Sequence, residues 1–149
     1  MRIALALHLL AVVLWVGGMA FALFALRPSL AALSPPQRLV VMAGVLARFL
    51  PAVGIAIIVS VVTGGWLLLE YGGLGAAPWG VHTMIGLGVL MILVYFYLYF
   101  AVHPRLRAKV AGADWPAAGA LAERMRRWIG VNLLLGVLVI LAAILGRPG

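Results

Sequence analysis

The strongest constraint on this chain is a set of apolar runs, nearly free of charge, each long enough to cross a lipid bilayer. A hydrocarbon core about 30 Å thick takes roughly 20 apolar residues in a helix. Backbone N–H and C=O groups find no water there, so a single spanning segment of this kind must be helical. Four segments qualify, at about 3–26, 44–69, 78–102 and 128–145. Arg48 falls inside the second, near enough to its end to snorkel to headgroups. Only 9% of the residues are charged, against roughly a quarter in a soluble domain. The first run is longer than the 7–15-residue core of a secretory signal, and is counted as a span.

The expected fold class is therefore an all-α integral membrane protein. Residues 1–149 should form a single four-helix domain, multi-pass in the inner (cytoplasmic) membrane with the lipid bilayer as its first partner. Lys/Arg placement orients it. Arg27, Arg38, Arg48, Arg105, Arg107, Lys109, Arg124, Arg126 and Arg127 lie on one side, against Arg2 and Arg147 on the other. Both termini are expected on the periplasmic, outer side. The formal charge of +8 is thus topological, and no nucleic-acid partner is expected. The loop at 103–127 should be cytoplasmic and carry a short interfacial helix. Asp114 would cap it, Pro116 would sit in its first turn, and Glu123 could pair with Arg127 at i,i+4.

Several chemistries are excluded. The chain has no cysteine, hence no disulfide, thiolate metal site or iron–sulfur cluster. Its only acids are Glu70, Asp114 and Glu123, and it holds no Ser/His/Asp set or phosphate loop. Hydrolysis by a nucleophile or by paired carboxylates has no residues to perform it.

What stands out instead is imidazole. His8 lies roughly 7 Å below the outer start of the first span and His82 roughly 6 Å below that of the third, at about 1.5 Å per residue. Each alone could bond a neighbouring carbonyl. Two ionisable side chains at one depth in one leaflet, however, mark a site, and neutral imidazole is the commonest side-chain metal ligand. A shared His8/His82 metal site is expected if the first and third helices are neighbours. Gly64 and Gly65 lie level with the histidines, and Gly86 follows His82 by one turn; they allow close helix approach or room for a flat macrocycle edge. Trp15 and Trp79 share faces with His8 and His82 and would line such a pocket. Met19 and Met84 raise copper, which thioether and imidazole favour as Cu(I), but Met19 lies about 16 Å along the helix from His8, too far to share one ion.

The stretches ALHLLAVVLWVGGMAF, LARFLPAVGIAIIVSVVTGGWLL and PWGVHTMIGLGVLMILVYFYLYF resemble the four-helix core common to two membrane families. These are the copper resistance protein D (CopD) family and the HemJ-type protoporphyrinogen oxidases, the latter described as binding haem b. The most specific element is His-x6-Trp (His8, Trp15) combined with Trp-x2-His (Trp79, His82). The resemblance implies His8 and His82 as axial ligands of haem b. This chain has Met84 where the HemJ pattern carries a lysine. Three functional readings follow. The first is a redox-active b-type haem protein, an electron-transfer or HemJ-like oxidoreductase serving a quinone or a periplasmic redox partner. The second is a copper transport or resistance component using the same histidines. The third is a cofactor-free structural or assembly subunit, in a homo-oligomer or larger membrane complex.

Overall fold

The computed structural model describes residues 1–146; Arg147, counted above among the flanking charges, lies outside them. The chain forms four long helices: α1 (Arg2–Ala32), α2 (Pro35–Glu70), α3 (Trp79–Ala111) and α4 (Trp115–Leu145), all apolar and long enough to span a membrane. At 31 to 36 residues they reach about 45–55 Å, well beyond a hydrocarbon core. The excess emerges at the basic end, where α1 joins α2 through Leu33–Ser34 and α3 joins α4 through Gly112–Asp114. At the opposite end Tyr71–Pro78 links α2 to α3.

The second helix thus starts at Pro35 rather than near residue 44, taking Arg38 into its first turns. Gln37 closes that start by accepting from the Ser34 N–H at 3.1 Å. The expected interfacial helix within 103–127 does not exist as a separate element. Asp114 does cap a helix, accepting from Ala117 N at 3.3 Å, with Pro116 in the first turn. That helix then runs unbroken into the fourth span, because no residue between Ala117 and Trp128 stops it. Leu121 and Met125 pack into the core rather than onto lipid headgroups. Glu123 takes Arg126 and, at 3.0 Å, Arg27 of α1 as partners instead of Arg127, tying α1 to α4 at the basic end.

Proline explains two local departures from α geometry. Pro lacks an N–H and its ring strikes the carbonyl four residues back. Pro28 and Pro104 both continue a helix, and each follows a turn widened to π geometry, at Ala22–Leu26 and Tyr97–Val102. The wider turn accommodates the missing donor without ending the helix.

The N-terminal part of α1 packs along α2, and that of α3 along α4; α2 and α4 also meet, and the end of α3 closes on both. A core of Trp15, Met19, Leu46, Leu50, Val53, Met91, Tyr95, Leu98, Met125 and Ile129 joins all four helices. Small residues set the closest crossings. A Cβ on Gly80 would meet the Ala142 carbonyl and the Gly146 backbone. At Gly136, Val16 of α1 and Met91 of α3 converge on α4. The outer surface is the reverse of a soluble protein's: Phe24, Ile55, Val62, Leu93, Phe100, Leu134 and Ile144 are all exposed. This is the surface lipid chains would cover.

Two outcomes are expected. Gly80→Leu would force backbone apart between α3 and α4 and cost about 1–3 kcal/mol. Gly65→Leu, which meets nothing within 4 Å, serves as its control. Unfolding titrations in mixed micelles would show an earlier midpoint for the first variant only. The second outcome concerns pH. The Lys109 ammonium, 2.9 Å away, and the Ala117 N–H hold the Asp114 carboxyl below its ordinary value. A carboxyl depressed in the folded state stabilises above its unfolded pKa, and that contribution is lost as pH falls through the folded one. The protection of the Ala117–Gly119 amides, measured against their intrinsic exchange rate at each pH, should therefore fall in acid. Asp114→Asn should lose most of this dependence while keeping a cap acceptor.

Candidate functional site

His8 sits on the packed face of α1, half-buried, against the outer half of α2. Its Nδ1 lies 3.0 Å from the Ser60 carbonyl and 3.2 Å from Thr63 Oγ1. The Thr63 hydroxyl donates to Val59 O at 2.6 Å, so its single hydrogen is engaged and it offers only lone pairs to the ring. Ser60 O is likewise an acceptor. Both partners therefore require a proton on Nδ1, and in the neutral ring Nε2 carries the free lone pair. Gly64 makes this seat possible, for a Cβ there would stand 3.1 Å from His8 Cε1. The glycine thus serves close packing of the imidazole itself. Beside it, the Ser60 hydroxyl is buried without a partner among the described residues, and Thr63 lines an open apolar groove of about 230 Å³ with Ile3, Leu7, Val62 and Trp66.

Trp15, two turns along the same face of α1, is buried at 6% exposure, and Met19 follows at 3%. Met91 of α3 reaches the same core. The other predicted residues lie differently. His82 is exposed on α3. At roughly 100° per residue it stands opposite the Gly80–Met91–Tyr95 stripe through which α3 packs. Trp79 is 61% exposed on that outer side, while Gly86 and Gly65 meet nothing within 4 Å. The two histidine-bearing segments have different main partners, α2 for His8 and α4 for His82. Among the described residues no cluster of three or more His, Cys, Asp or Glu forms a ready metal cage.

Sequence reasoning did not name Ser60 and Thr63. The available signal was their position on α2, within one turn of Gly64, which had been placed at the depth of His8. It also passed over the basic end. There Ala47, Pro51, Tyr99, His103, Pro104 and Arg107 line a half-open cavity of about 330 Å³ between α2 and α3. His103 is buried at 7% exposure, with Nε2 3.5 Å from Ala43 O. Asn132 is also buried, and its Oδ1 has no partner on a neighbouring helix among the described residues.

A family model described as copper resistance protein D matches residues 43–145, from α2 to the end of α4. His82, Trp79, Gly64, Gly65 and Gly86 lie inside the match; His8 and Trp15 lie before it. No curated protein and no solved structure matches the chain.

Nitrogen NMR of imidazole-labelled protein should show a protonated Nδ1 and a bare Nε2 at His8. Thr63→Val should keep that tautomer, because Ser60 O still accepts. Gly64→Leu should expel the ring and average the two nitrogens.

Proposed function

Since the chain belongs to the copper resistance protein D family, we propose that it binds copper ions within the membrane, with His8 as the ligand at the end away from the basic loops. By the Lys/Arg distribution that end is the periplasmic one. The observation that carries this is the placement of His8 Nδ1 3.0 Å from the Ser60 carbonyl, which implies the tautomer protonated there. Metal-bound histidines characteristically donate their other ring N–H to a carbonyl, which fixes the ring and raises its basicity. Ser60 O and Thr63 provide that support inside the helix pair, leaving Nε2 to coordinate. Cuprous copper accepts few, soft ligands and suits imidazole and thioether together. Met19 and Met91, buried deeper in the same core, supply thioethers for an ion moving inward from His8. The copper is cargo in this reading, and no redox chemistry of the protein is required.

Haem b between His8 and His82 asks two imidazoles to face one slot wide enough for a macrocycle. His8 is seated on α2 with its ring against Gly64, and His82 lies on the face of α3 that packs on neither neighbour. The residues of one chain do not form that slot, so the proposal rests on copper.

Purified protein titrated with Cu(I) against a chromogenic chelator should bind copper stoichiometrically. His8→Ala should weaken binding at least about tenfold, the loss expected for one good ligand. Met19→Leu should weaken it less, and Ser60→Ala should leave it intact, because the carbonyl remains. Protein that comes off the column with a Soret band lost in His8→Ala would replace copper by haem. Colourless protein that ignores copper would sink both.

A further inference from the structure

We infer that the cavity at the basic end is a binding site for the headgroup of an anionic phospholipid, held between α2 and α3. The site is independent of the copper reading, lying at the other end of the bundle from His8. Three observations carry it. The first is an acceptor that lacks its usual donor. Pro51 has no N–H, so the carbonyl of Ala47, four residues earlier, loses its ordinary helical donor, and both residues line the cavity. A carbonyl in that position is open to a donor from a ligand. The second is a convergence of polar side chains. Tyr99, His103 and Arg107 follow one another at four-residue spacing along α3 and all border the same space. The third is an uncommitted cation. Ion pairs among the described residues engage the N-terminal ammonium, Arg27, Lys109 and Arg126, and leave Arg107 out.

Together these groups present what a glycerol-phosphate headgroup needs. A guanidinium takes two phosphate oxygens at once, and the Tyr99 hydroxyl adds a donor beside it, while the His103 ring, turned to Ala43 O, walls the space. Headgroup hydroxyls supply Ala47 O with a donor. Pro51, Pro104 and Ala47 give the apolar wall along which the acyl chains leave. About 330 Å³ holds such a headgroup with room for a bridging water, whose share of liquid volume is about 30 Å³. Basic pockets between helices on the cytoplasmic side are where anionic lipids are bound. This site adds hydrogen-bonding side chains that a simple charged surface does not have.

Native mass spectrometry of the intact protein in detergent tests it, with phosphatidylglycerol and phosphatidylcholine of equal chain length as probes. One phosphatidylglycerol per chain should be retained, against little phosphatidylcholine. Arg107→Gln should weaken retention about tenfold, as loss of a charged hydrogen-bond partner does. Tyr99→Phe should weaken it less, and Arg107→Lys should restore part of it. Arg124→Gln, at an exposed position outside the cavity, should change nothing. Helical circular dichroism confirms that each variant is folded. Equal retention of both lipids would overturn the proposal, as would an Arg124→Gln loss equal to that of Arg107→Gln. Displacement by soluble glycerol phosphate at the same concentration would assign the site to a free anion instead. Displacement by a short-chain quinone would assign it to a quinone.

Discussion

Every feature of this molecule answers to the absence of water around its backbone. In hydrocarbon an unpaired amide costs several kcal/mol, so the chain spends its length on four helices with almost no loop between them. The same demand shapes the exceptions. Pro28 and Pro104 would each break a helix in water, yet both lie inside one, preceded by a π turn that reroutes the carbonyls. Pro51 has no such turn. Ala47, whose carbonyl loses its ordinary helical donor there, lines the cavity at the basic end.

His8 obeys the same rule in side-chain form. An imidazole in the outer half of a bundle must place its N–H, and the backbone carbonyl of Ser60 receives it. Satisfying that hydrogen leaves the opposite nitrogen without a proton, which is the arrangement the proposed ligand role needs. Gly64 lets the Nδ1–Cε1 edge of the ring approach α2. The copper proposal joins family membership to the placement of the His8 ring on the Ser60 carbonyl, and the buried thioethers of Met19 and Met91 would suit a cuprous ion.

The two ends of the bundle do different work. Away from the basic loops, the helices pair as α1 with α2 and α3 with α4, and side chains of the third helix such as Trp79 and His82 are left outward. At the basic end the end of α3 closes on both α2 and α4, and Arg27, Glu123 and Arg126 lock α1 to α4. Crossings of this closeness rest on glycine, since lipid offers no hydrophobic drive and contact area must come from backbone approach.

The existence, number and helical nature of the spans were legible in the sequence, because transfer into hydrocarbon depends on composition over twenty residues and needs no partner. So was the role of Asp114, a local cap. Helix ends were not: Arg38 in α2, and α4 running on through Arg124, Arg126 and Arg127, show that charges outside the hydrocarbon leave a helix free to continue. What only the tertiary structure decided is direction. Depth is a one-dimensional quantity, but whether His8 and His82 face one another depends on which helices pack and through which stripe. Close glycine crossings set that, at Gly64 of α2 for the first histidine, and at Gly80 of α3 itself and Gly136 of α4 for the helix of the second.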